Sequence, residues 1–110
     1  MGAMKKAVWM SYDLGVKGDY EGLYLWLDSH KALECSGTLS FFSFEMKKDL
    51  VTELKKSLKE AVEIDAKSRV YIVSLDQNKK MKGRFLFGGR KAAPWAGFAP
   101  AETQEEEYGG

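Results

Sequence analysis

The sequence predicts an α+β domain in which an antiparallel sheet carries two helices on one face, and three observations lead there. Alternating apolar residues recur at 7–13, 38–45, 70–75 and 83–87, bounded by glycine or polar turn residues. Two stretches, following Asp19 and Asp49, instead repeat their large apolar residues at helical spacing. The resulting order is strand, helix, strand, strand, helix, strand, with one more strand after it. A chain of 110 residues builds one hydrophobic core and is too short for two.

In the first strand Val8, Met10 and Tyr12 alternate with Trp9, Ser11 and Asp13, so both faces carry a large apolar group. Gly15 and Gly18 mark a loop, and Asp19 is placed to cap a helix. Tyr20, Leu23, Tyr24 and Leu27 form that helix's apolar stripe, Trp26 widens it, and the helix fades near His30 or Lys31. Residues 32–35 make a short strand, Ser36-Gly37 a turn, and residues 38–45 (TLSFFSFE) a second strand paired with it.

Asp49 opens the clearest helix. Leu50, Leu54, Leu58 and Val62 lie four apart beside Val51, Ala61 and Ile64, while Lys55, Lys56, Lys59, Glu60 and Glu63 form a solvated face. Residues 70–75 (VYIVSL) are a strand apolar on both faces, and Asp76-Gln77-Asn78 turns the chain. Residues 83–87 (GRFLF) form a further strand ended by Gly88-Gly89, and residues 90–100 hold two prolines and the exposed aromatics Trp95 and Phe98. The first six elements make the βαββαβ arrangement of the ferredoxin-like fold, which sets strands 7–13 and 38–45 side by side in mid-sheet. The strand at 83–87 is an addition to it.

Apolar content of 45% and charged content of 30% are ordinary for a globular domain. No apolar run is long enough to cross a membrane as a helix, and the amino terminus lacks a signal-peptide pattern, so a cytoplasmic protein with no membrane partner is expected. Met1-Gly2-Ala3 reads as a cloning remnant before a native start at Met4, residues 4–100 as one domain, and residues 101–110 as an acidic disordered tail. Cys35 is the only cysteine, which excludes an intramolecular disulfide and a thiolate zinc cluster; a buried structural thiol is expected.

The formal net charge is only +1, yet Lys79, Lys80, Lys82, Arg84, Arg90 and Lys91 fall in one stretch without an acid, and Glu102, Glu105, Glu106 and Glu107 crowd the end. That basic stretch, interleaved with Phe85 and Phe87, is suited to tracking a phosphate backbone while rings stack on bases. The same two phenylalanines also read as one strand face that packs in a core or an interface. KGRFLFGG is similar to an RNA-recognition signature but stands after the fourth strand, the wrong place for it. Asp13 has two readings: a carboxylate that caps the following loop, or a metal ligand and catalytic group. Asp19 reads as a helix cap, Asp28 as solvated, and His30, the only histidine, as an exposed helix end. Helices cover one face of the sheet, so Trp9 and Phe41 on the other need a cover, either a second copy of the chain or a nucleic-acid strand.

Residues 11–32, SYDLGVKGDYEGLYLWLDSHKA, followed by the short strand and TLSFF, resemble the SinR-like relatives of the small CRISPR-associated "Cas two" proteins and the virulence-associated protein D toxins. The resemblance spans about residues 7–87. It implies a homodimer of ferredoxin-like subunits whose last strand, here 83–87, crosses to the partner's sheet. It also implies that Asp13 from each subunit meets its twin near the two-fold axis and holds magnesium for phosphodiester cleavage. The expected interface residues are Trp9, Phe85, Phe87 and Trp95. Two functions follow as expectations: a dimeric nucleic-acid-handling protein acting as a magnesium-dependent endoribonuclease or endonuclease on RNA or DNA, or a non-catalytic dimeric adaptor of the same fold.

Overall fold

The computed structural model describes residues 4–100; the expected cloning remnant and acidic tail lie outside them. Seven elements follow one another: β1 (Met4–Asp13), α1 (Tyr20–Ser29), β2 (Leu33–Ser36), β3 (Leu39–Met46), α2 (Leu50–Ala61), β4 (Arg69–Leu75) and β5 (Met81–Phe87). They form an α+β domain with one sheet in the order β2-β3-β1-β4-β5, every pair antiparallel. β1 therefore lies at the centre, between β3 and β4. No helix among the described residues is long and apolar enough to cross a membrane.

One face of the sheet is buried beneath both helices. Val8, Met10 and Tyr12 of β1, Phe42, Phe44 and Met46 of β3, and Val70 and Ile72 of β4 pack with Leu23, Trp26 and Leu27 of α1 and Leu50, Leu54 and Leu58 of α2. Each such side chain removed from water contributes roughly 1.5–3 kcal/mol, so this face supplies most of the folding free energy. On α1 the buried stripe includes Trp26, whose indole N–H donates to Ser57 Oγ on α2 at 2.9 Å, while Tyr24 is exposed. The expected stripe through Tyr24 is thus turned toward Trp26, which has both the larger apolar surface and a hydrogen-bond partner.

Capping fixes both helix starts. Asp19 Oδ1 accepts from the Gly22 N–H at 2.9 Å, and its Oδ2 accepts from the Glu63 N–H at 2.9 Å, tying the start of α1 to the end of α2. Gly22 is required for that approach, because a Cβ there would meet Ala61 O at 2.6 Å and Asp19 Oδ2 closer still. Asp49 accepts from the Thr52 N–H at 2.8 Å, and the Glu53 carboxylate takes the N–H groups of Lys47, Lys48 and Asp49. These bonds hold the Asp19 and Glu53 carboxyls below their ordinary pKa, and the Thr52 hydroxyl followed by the Thr52 N–H does the same for Asp49.

The structure corrects three expectations. Cys35 is exposed rather than buried, because β2 is a short edge strand with every residue in solvent. β5 does not leave for another sheet: the Asp76–Lys80 turn folds it back as a hairpin on β4 of the same chain. Nor do Phe85 and Phe87 share a face. A register shift makes Val70 pair with Phe87 but Tyr71 with Phe85, so Phe87 turns into the helix-covered core and Phe85 stays on the other side. Phe87, expected at an interface, is buried within the chain itself.

Candidate functional site

β1 ends at Asp13 because Leu14 folds inward, its N–H donating to the Tyr20 hydroxyl at 3.1 Å. Gly15 then takes a left-handed φ of 83° and donates its N–H to Asp13 Oδ1 at 3.1 Å. The loop-capping role expected of this carboxylate is therefore present. Its other oxygen, Oδ2, lies 3.7 Å from Nη2 of Arg69, the cross-strand partner of Asp13 at the start of β4.

Around this pair a recess of about 260 Å³ opens on the face away from the helices, lined by Ser11, Tyr12, Asp13, Arg69, Tyr71, Phe85 and Arg90. The Arg90 guanidinium lies over two rings, 5.6 Å from the centre of Phe85 and 5.9 Å from that of Tyr71. Those rings pack edge to face at 4.8 Å. Arg69 is loosely held: Nη1 reaches the Gly89 carbonyl only at 3.5 Å, and the buried Nε has no partner. Two guanidiniums beside one carboxylate make the recess net positive, with unspent donors, which suits a phosphate or carboxylate ligand. Burial, then the nearby Tyr24, raises the pKa of the Tyr12 phenol, so it stays protonated at neutral pH.

One chain brings a single carboxylate, Asp13, to the position expected to hold magnesium, and that carboxylate already faces the Arg69 guanidinium. Such an ion takes one or two carboxylates in near-octahedral oxygen geometry. Among the described residues no three His, Cys, Asp or Glu side chains converge to hold a metal.

The six basic residues expected to act together occupy four separate places. Arg90 lies on the open face. Lys82 and Arg84, opposite Ser74 and Ile72, face the helix side, where they line a recess with the start of α2. Lys79 and Lys80 sit in the hairpin turn, and Lys91 is exposed beyond the sheet. Trp9 is 41% exposed on the open face and packs on Phe41 at 4.7 Å; Leu33, Leu75 and Met81 are exposed on the same side. Trp95 and Phe98 stand in solvent on two consecutive tight turns. Asp28 is exposed as expected, but His30 is half-buried, stacked on Trp26 at 3.8 Å with its Nδ1–H directed at the Trp26 carbonyl.

Sequence reasoning missed Arg69 and Tyr71. Their alternation with Val73 was legible, but pairing Arg69 with Asp13 depends on the register between strands distant in the chain. No family model, curated protein or solved structure matches this chain.

Proposed function

We propose that this chain is a nucleic-acid-handling protein of ferredoxin-like fold that works as a homodimer. The apolar part of the open face around Trp9 and Phe41 joins two copies, and the recess of Asp13, Arg69 and Arg90 at its rim binds phosphate. The fold assignment is supported by the order β2-β3-β1-β4, with β5 added outside β4. The observation that carries the binding role is the presence in one recess of two guanidiniums, one with an unpartnered buried Nε, beside the half-buried rings of Tyr71 and Phe85. Arginine matches phosphate with parallel N–H donors, and a neighbouring ring offers a stacking surface that tolerates any base. Asp13 partly neutralises Arg69 and orients it.

A second reading, magnesium-dependent cleavage, requires a second Asp13 from another copy; what favours it is that the Asp13 side chain is 56% exposed on the face assigned to the dimer. The binding role is tested by titrating fluorescent single-stranded RNA and DNA at rising salt. Affinity should fall steeply with salt in the wild type, and an Arg69→Gln/Arg90→Gln variant should bind at least about tenfold more weakly with a shallower salt slope. Equal affinity and slope would refute the phosphate contact. In the same samples, magnesium-dependent cleavage lost in Asp13→Ala would establish the nuclease; binding without cleavage would leave the adaptor.

A further inference from the structure

At the opposite end of the sheet from Asp13, on the helix side, lies a second recess of about 550 Å³. Lys6 from the start of β1, Lys48 before α2, and Lys82 and Arg84 from β5 line it, with Asp49 and Asp76. Four cations therefore face two acids, and both acids are engaged by the backbone. Asp49 caps α2 through the Thr52 N–H, and Asp76 Oδ1 accepts the N–H groups of Asn78 at 2.8 Å and Lys80 at 2.9 Å. Among the described residues none of the four cations comes within 4.0 Å of a carboxylate; Lys6 Nζ donates instead to the Leu75 carbonyl at 3.2 Å. At the start of α2 the Asp49 and Thr52 N–H groups are already taken by the Glu53 and Asp49 carboxylates, and the recess is read from its side-chain cations.

We infer that this recess is a phosphate-binding site separate from the Asp13 recess, in which Lys6, Lys48, Lys82 and Arg84 hold the phosphate of a nucleic-acid backbone or of a free polyphosphate. Arg84 supplies a planar fork, and the three lysines supply mobile point charges converging from three separate segments. The net positive charge matches a multiply charged phosphate better than a neutral or cationic ligand. The proposal is independent of the dimer and of the Arg69/Arg90 contact.

Amide chemical shifts of the isotope-labelled chain, followed while inorganic pyrophosphate or a single-stranded RNA is added, test it. Saturable shifts at residues 6, 48, 76 and 82–84 are expected, with affinity at these residues reduced at least about tenfold in Lys82→Gln/Arg84→Gln, and with the pyrophosphate affinity at these residues retained in Arg69→Gln/Arg90→Gln. Shifts with pyrophosphate alone identify a free phosphate compound as the source, and shifts with RNA alone or with both identify the backbone. Either result supports the site. The single variants Lys82→Gln and Arg84→Gln, each on an exposed strand position, provide the same comparison if the double variant unfolds. No saturable shift at these residues with either probe, or shifts that persist unchanged in the variants, would overturn it.

Discussion

The two faces of the sheet are built from the same strands yet end in opposite conditions. Val8, Met10 and Ile72 are almost wholly buried beneath α1 and α2, whereas Trp9, Leu33, Leu75 and Met81, one residue away from buried neighbours or at the sheet edges, stay exposed. Alternation along a strand separates the two sets, so neither can be changed by sliding the register without exchanging them. The helix side is complete within the chain. The open side has apolar area without cover from the chain itself, bordered by Arg69 and Arg90, which is why the proposed partner is placed there.

The contrast predicts opposite consequences for side-chain truncation. Leu54→Ala, at a fully buried position of α2, should destabilise the chain by about 2–5 kcal/mol in urea unfolding, because the site cannot collapse under two helices and a sheet. Trp9→Ala removes a larger side chain but, at a position 41% exposed where truncation leaves no enclosed cavity, should cost less in the isolated subunit than Leu54→Ala does. Comparable losses at the two positions would erase the distinction between the faces.

A smaller effect concerns pH. The capping carboxylates Asp19, Asp49 and Glu53, and Asp76 in the hairpin turn, all have folded-state pKa values lowered, chiefly by hydrogen bonds donated to them. A lowered folded pKa means the unfolded chain binds protons first. The stabilisation is therefore fully present above the ordinary carboxylate range and is lost as pH falls through the folded values. Asp19→Ala should lower the urea midpoint at neutral pH and flatten its decline on acidification, without altering phosphate binding at either recess. A midpoint that rises on acidification would contradict these assignments.

What was legible in the sequence follows the same division. Local signals gave all seven elements: the leucines of α2 recur every fourth residue, Asp19 and Asp49 sit where caps belong, and strand alternation is clear around Val8 and Ile72. Strand ends were less legible, since β1 begins at Met4 and β5 at Met81, where polar residues alternate with apolar ones and hydrogen bonding decides the limit. Facts requiring register were not available. The bulge that sends Phe87 inward, the pairing of Asp13 with Arg69, and the parting of Lys82 and Arg84 from Arg90 all depend on how distant segments align. Cys35 was misplaced for a related reason: its residue type favours burial, but its strand is an edge with nothing over it.

The most direct test of the open face as the working surface is sedimentation of the wild type and Trp9→Glu, each with and without single-stranded RNA. The account predicts a wild-type dimer that binds RNA, and a Trp9→Glu chain that keeps its circular dichroism but sediments as a monomer with weakened RNA binding. A monomeric wild type, or a Trp9→Glu variant that still dimerises and binds RNA with unchanged affinity, would contradict it.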